Sequence, residues 1–171
     1  MKSTESPSTM SSGSPGIVYV DGSPKGRVGI VFPGNSPPEE SSVVSIGMDH
    51  TNNEAEYLAV LKGLEAINKR DPLRQWIMYS DSKLTVMQVK GVWVCRAPNL
   101  LPILHDIWDY LETHRLSVEF KWISRNHNFA GHLLDHVLSL EHQVNKEIKA
   151  ESNGKIRPYA KRLFRESGLL S

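Results

Sequence analysis

The chain has 171 residues, with 20 Lys/Arg against 19 Asp/Glu and 39% hydrophobic side chains, a balance that suits one soluble domain with a core of its own and excludes a disordered polyelectrolyte. No apolar run reaches the ~18–20 residues that span a bilayer, and a single cysteine, Cys95, excludes an internal disulfide and a cysteine-based zinc site and fits a reducing, cytoplasmic setting. Residues 16–144 carry 12 basic against 15 acidic side chains, whereas residues 145–171 carry 7 against 3, so nucleic-acid binding would have to come from local arrangement or from the basic tail.

Residues 1–15 are nearly all Ser, Thr, Pro, Gly and Met. They predict a disordered tail, with neither the apolar stretch of a signal peptide nor the arginines of a transit peptide. Ile17 to Val20 is a short β-branched run that predicts a buried strand, ending in a turn at Asp21-Gly22-Ser23-Pro24. Val28 to Phe32 predicts a second strand, closed by Pro33-Gly34. After the loop Ser36-Pro37-Pro38, Ser42 to Ile46 predicts a third. Short turns between the three suggest an antiparallel meander.

Helices and strands then alternate. Thr51 to about Lys69 places Ala55, Leu58, Ala59, Leu61, Leu64 and Ile67 near a 3.6-residue period, and Thr51, Asn52 or Asn53 can cap it. Trp76 to Tyr79 predicts a strand and Ser82 to Val89 a short helix. Pro98 to about His114 predicts a helix that buries Leu100, Leu101, Leu104, Ile107, Trp108 and Leu111. Val118 to Ile123 predicts a fifth strand, and Asn128 to about Lys149 a last helix. Parallel pairing with right-handed crossovers follows from the alternation. The expected organisation is a tail (1–15), a mixed five-stranded α/β domain (16–150) and a basic extension (151–171).

Sites in open α/β sheets lie at the carboxyl ends of strands. Asp21 follows the first strand, Asp81 follows the fourth, and Glu56 lies in the first turns of the helix after the third. Three carboxylates meeting beside apolar strands would repel one another, and burying them unpaired costs several kcal/mol or more. A divalent cation resolves the conflict. Oxygen-only ligands favour Mg²⁺ or Mn²⁺, and two such ions about 4 Å apart can drive phosphodiester hydrolysis.

The wording around these acids carries a resemblance. Tyr19-Val20-Asp21-Gly22-Ser23, then Thr51-Asn52-Asn53-Glu54-Ala55-Glu56-Tyr57-Leu58-Ala59, then Tyr79-Ser80-Asp81-Ser82 resembles type 1 ribonuclease H in order and spacing. So does Phe120 to Asn128, with Trp122, Ile123, Arg125 and Asn128. The resemblance covers about residues 16–144. It implies sheet order 3-2-1-4-5 with the second strand antiparallel, and cleavage of the RNA strand of an RNA/DNA hybrid, leaving 5′-phosphate ends. It makes Asp21 the bridge between two metal ions and assigns Glu56 and Asp81 to the second. Glu54 is not the family carboxylate and reads as a solvated, dipole-favouring residue.

The chain departs from the family at a fourth carboxylate. His132 stands where the resemblance implies Asp, four residues after Asn128, and Asp135 lies one helical turn on. Either His132 ligates as neutral imidazole, or Asp135 reaches the site, or water fills the position. For the substrate, Asn52 and Asn53 are suited to reading the 2′-hydroxyl that separates RNA from DNA, and Thr51 to a DNA phosphate. Arg125 suits the phosphate next to the cut. Ser82, Trp93 and Asn128 complete the expected substrate contacts. The alternatives are a ribonuclease H-like domain with weakened chemistry that only binds nucleic acid, and an interaction module on the same scaffold. Nothing in the sequence demands a membrane or more than a monomer.

Overall fold

A computed structural model of the chain describes residues 13–35 and 38–153. Most of the expected tail and basic extension, and Ser36-Pro37 of the expected loop, lie outside the described residues. The described chain runs β1 (Gly16–Ser23), β2 (Arg27–Asn35), β3 (Pro38–Ser45), α1 (Asn52–Arg70), β4 (Gln75–Ser80), α2 (Lys83–Val89), α3 (Leu101–Thr113), β5 (Ser117–Trp122) and α4 (Phe129–Ser152), with a 3₁₀ turn at Arg125–His127 before α4. The sheet order is β3-β2-β1-β4-β5. Its β1–β2 and β2–β3 pairs are antiparallel, and its β1–β4 and β4–β5 pairs are parallel. This is the expected mixed five-stranded sheet.

Two units divide at Leu134/Asp135. Residues 1–134 hold the sheet, the first three helices and the start of α4. Alternation along the strands puts Val18 and Val20, Val28 and Ile30, and Trp76 and Met78 into the core. Tyr57, Val60, Leu64 and Ile67 of α1, Val86 and Val89 of α2, and Leu104 and Ile107 of α3 fill the same core. Fully burying each large side chain of this kind contributes about 1.5–3 kcal/mol. In residues 135–171 the described structure is the rest of α4 and the turn that ends it. Leu140 and Ile148 on that stretch are exposed. Among the described residues, no helix is long and apolar enough to cross a membrane.

Several boundaries differ from the sequence reading. Asp21, Gly22 and Ser23 form no turn: they continue β1 and pair with Gly29, Val28 and Arg27. Pairing with β2 holds this stretch extended although Asp and Gly are poor strand formers. Helix α3 begins at Leu101, with Pro102 in its first turn, and Pro98-Asn99-Leu100 forms the turn before it. Proline at 102 still meets the helix-start rule, because its missing N–H would have had no intrahelical partner there.

Candidate active site

The end of β1 is fitted closely to the start of α1. A Cβ on Gly22 would lie 2.0 Å from the Ala55 carbonyl oxygen, so only glycine lets strand backbone and helix backbone approach this far. The contact sets Glu56 beside Asp21, and the Gly22 N–H donates to the Glu56 carboxylate. Asp81 directly follows β4. Its carbonyl accepts from Trp122 Nε1 at 3.1 Å. Asn128, fully buried, fixes the last loop onto this edge. Its Nδ2 donates to the Val20 carbonyl and to Asp81 Oδ2, each at 3.1 Å, while its Oδ1 accepts from Ala130 N.

One carboxylate oxygen from each of Asp21, Glu56 and Asp81 lies within 4.8 Å of the others. Asp21 is buried. Glu56 Oε2 is buried with no hydrogen-bond partner. Burial, then the charges of Asp21 and Asp81, together with a hydrogen bond to Asp21, push the Glu56 carboxyl up to about 9. The protein alone therefore favours a proton shared within this carboxylate cluster. Arg125 brings positive charge to the same place, its Nη1 3.6 Å from Asp81 Oδ2 and 3.9 Å from Asp21 Oδ2. The all-oxygen donor set and the unsatisfied Glu56 Oε2 fit a hard divalent cation of the Mg²⁺ or Mn²⁺ kind.

The expected substrate residues are distributed around this edge. Thr51 caps α1, its Oγ1 accepting from Glu54 N at 3.1 Å. Asn52 and Asn53 are exposed in the first turn of α1, where unused N–H groups favour anions. Ser82 is engaged as the N-cap of α2, accepting from Thr85 N. Trp93 is 42% exposed, between the exposed Val92 and Val94. Asn128 is held inside, its amide on Val20, Asp81 and Ala130. His132 is exposed, with Nε2 2.8 Å from the Asn126 carbonyl, and it is not part of the three-carboxylate cluster. Asp135 is exposed on the next turn of α4.

Sequence reasoning missed one hub. Glu54 completes a capping box with Thr51, accepts from Asn99 Nδ2 at 2.8 Å on Oε1, and meets His50 Nδ1 at 3.3 Å on Oε2. It therefore ties the loop before α1 to the turn before α3, which corrects the reading of a merely solvated residue. The Thr51-x-x-Glu54 spacing was the available signal.

A family model described as "Reverse transcriptase-like" matches residues 38–135. The protein YpeP of Bacillus subtilis (strain 168) is 33% identical over 107 residues, 61% of this chain and 46% of YpeP, so the chain spans about half the length of that curated relative. Among solved structures, LC11-RNase H1 in complex with an RNA/DNA hybrid is 26% identical, with 67% of this chain and 88% of that chain covered and a TM-score of 0.60. RNase H1 from Halobacterium salinarum NRC-1 is 24% identical, with 68% and 91% covered and a TM-score of 0.56. The N-terminal RNase H domain of Rv2228c from Mycobacterium tuberculosis is also 24% identical, with 76% and 98% covered and a TM-score of 0.57. At 24% identity these last two speak for the fold.

Proposed function

The chain belongs to the reverse transcriptase-like family, with the type 1 ribonuclease H fold, and from that premise we propose that it is a metal-dependent endoribonuclease acting on the RNA strand of RNA/DNA hybrids and leaving 5′-phosphate ends. The observation that carries the proposal is the convergence of Asp21, Glu56 and Asp81 within 4.8 Å at the carboxyl edge of β1 and β4. The hybrid bound by LC11-RNase H1 supports the substrate class.

In this reading Asp21, Glu56 and Asp81 would hold Mg²⁺ or Mn²⁺, with Asp21 central to the site. A cation held there would supply an activated water and stabilise charge on the leaving oxygen. The protein's own residues do the rest. Asn128 holds Asp81 to β1 through the Val20 carbonyl, and Gly22 admits Glu56 to the edge. Asn52 and Asn53 present amides that both donate and accept, as a 2′-hydroxyl requires. Thr51 and Ser82, at two helix starts, favour phosphate. Arg125 pairs with the phosphate at the cut, and Trp93 stacks on a sugar. His132 and Asp135 are the groups to test for a fourth ligand.

The test is a labelled RNA/DNA hybrid incubated with the full chain in Mg²⁺, Mn²⁺ or EDTA. Metal-dependent cleavage of the RNA strand alone, with 5′-phosphate ends, is the expected result. Binding without cleavage would leave a hybrid-binding domain, and neither would leave an interaction module.

A further inference from the structure

The Arg125 guanidinium and the space around two carboxylate oxygens carry an inference that rests on the metal-nuclease reading and extends it. Arg125 Nη1 faces Asp81 Oδ2 at 3.6 Å and Asp21 Oδ2 at 3.9 Å. Both of these separations exceed a direct hydrogen bond, so between these atoms the contact is one of charge. The partners are unequal in exposure: the Arg125 side chain is 58% exposed, while those of Asp21 and Asp81 are 4% and 9% exposed. An arginine stays charged at any working pH. The backbone of Gly131 runs close to the same two oxygens: a Cβ there would lie in ordinary contact, 3.5 Å from Asp21 Oδ2 and 3.6 Å from Asp81 Oδ2. The backbone of Arg125 is anchored, its carbonyl accepting from Asn128 N at 3.1 Å. Only its side chain need move to leave these two oxygens.

We propose that Arg125 is a resident counter-cation of the Asp21–Asp81 pair, displaced when a divalent cation takes the same oxygens and thereby turned toward a substrate phosphate. A divalent ion binds carboxylate oxygen at close range, ~2.0–2.6 Å, and replaces a looser contact with one monovalent cation. Two consequences have opposite sign. Without metal, Arg125 relieves the repulsion between buried carboxylates and stabilises the fold. With metal, it is a competitor and weakens loading. A merely structural arginine would give the first effect and not the second.

The experiment measures Mn²⁺ affinity by isothermal titration calorimetry, and melting temperature in EDTA, for the full chain and its Arg125→Gln and Arg125→Lys variants. Removing a unit charge about 4 Å from the ligand oxygens should tighten Mn²⁺ binding roughly five- to tenfold in Arg125→Gln. The same variant should melt about 2–4 °C lower in EDTA. Arg125→Lys keeps the charge and should stay near wild type in both measurements. Unchanged or weaker Mn²⁺ binding by Arg125→Gln, beside a wild type that binds Mn²⁺, would overturn the counter-cation role and leave the nuclease reading standing. A wild type that binds no Mn²⁺ would overturn both.

Discussion

Glu54 and Glu56 are two residues apart on α1, and their surroundings push them in opposite directions. Glu54 is held by the Asn99 amide, the Thr51 backbone and His50. Those donors, Asn99 first and then Thr51, lower its carboxyl below the ordinary range. Glu56 is half-buried and faces Asp21 and Asp81, and it is raised to about 9. A one-residue step on a helix turns a side chain by about 100°. Two steps here separate a carboxylate satisfied by the fold from one whose Oε2 is buried with no hydrogen-bond partner. The first serves the fold and the second is the one proposed for chemistry, and substitutions at the site and around it strain one side or the other of that contrast.

The largest effect is expected at the acid cluster. Asp21→Asn should lower RNA-strand cleavage by about a thousandfold or more, since neutralising the shared ligand removes charge from both proposed ion sites. The fold should persist, and the melting temperature in EDTA should hold or rise because a repulsive charge is gone. Near-wild-type cleavage of a labelled hybrid by purified Asp21→Asn would end the assignment.

Next comes the pH dependence of stability without metal. Glu56 has its folded value raised above the ordinary 4.5 to about 9. The folded state thus holds a proton that the unfolded state gives up between those values, and stability falls as pH rises through that window. Glu56→Gln cannot ionise, so between about pH 5 and 8.5 it should lose roughly 2–3 kcal/mol less than wild type. That is about half of the ~5 kcal/mol that a single unscreened proton would contribute over this window at ~1.4 kcal/mol per pH unit, because Arg125 and solvent screen the cluster. Denaturant melts in EDTA at several pH values measure the difference. Adding Mg²⁺ should remove the wild-type decline and leave Glu56→Gln unchanged. Equal pH slopes in EDTA would mean that Glu56 is not the proton holder.

Most of the fold and the three carboxylates were legible in the sequence because they depend on local patterns. The short apolar and β-branched runs of β1, β2 and β4, the 3.6-residue period of α1, and the Asp21-Gly22, Thr51-to-Glu56 and Asp81-Ser82 wording needed no tertiary knowledge. What escaped depends on residues distant in the chain. Asp21 reads as a turn residue because its pairing with Gly29 lies in another strand. Asn99 reaches Glu54 across 45 residues. Asn128 reads as a substrate contact in sequence, yet its amide is buried on Val20, 108 residues away. Arg125 shows a basic loop residue in sequence and an ion pair to two acids only in space.

His132 tests how far the cluster extends. Its Nε2 is already engaged with the Asn126 carbonyl, so it is expected to hold the last loop and not to ligate. His132→Ala should therefore lower Mg²⁺-supported cleavage by less than about tenfold, a modest loss of positioning, with the ratio of Mn²⁺ to Mg²⁺ rates unchanged. Asp135→Asn, assayed beside it, reports on the other proposed ligand. A loss near that of Asp21→Asn in either variant would make that residue the fourth ligand.

The smallest effect is expected at the satisfied end of the contrast. Thr51→Ala removes the side chain that accepts from Glu54 N, and loss of a helix cap costs about 1 kcal/mol, or about 2–4 °C in a chain of this size. Glu54→Gln should cost less, because glutamine retains the reach back to the Thr51 N–H that a capping box needs. It gives up the charged acceptor shared among Thr51, His50 and Asn99. The pH signature separates this corner from Glu56. Glu54 has a lowered folded value, so its contribution is present above the ordinary carboxylate range and is lost as pH falls through the lowered value. Glu54→Gln should therefore match wild type more closely in acid and fall below it at neutral pH, the reverse of Glu56→Gln. Because Thr51, Asn52 and Asn53 share the turn that Glu54 fixes, Glu54→Gln should also raise KM for the hybrid more than it lowers kcat. A Glu54→Gln protein with unchanged KM and an Asp21-like loss of kcat would put Glu54 inside the chemistry and erase the distinction between the two glutamates.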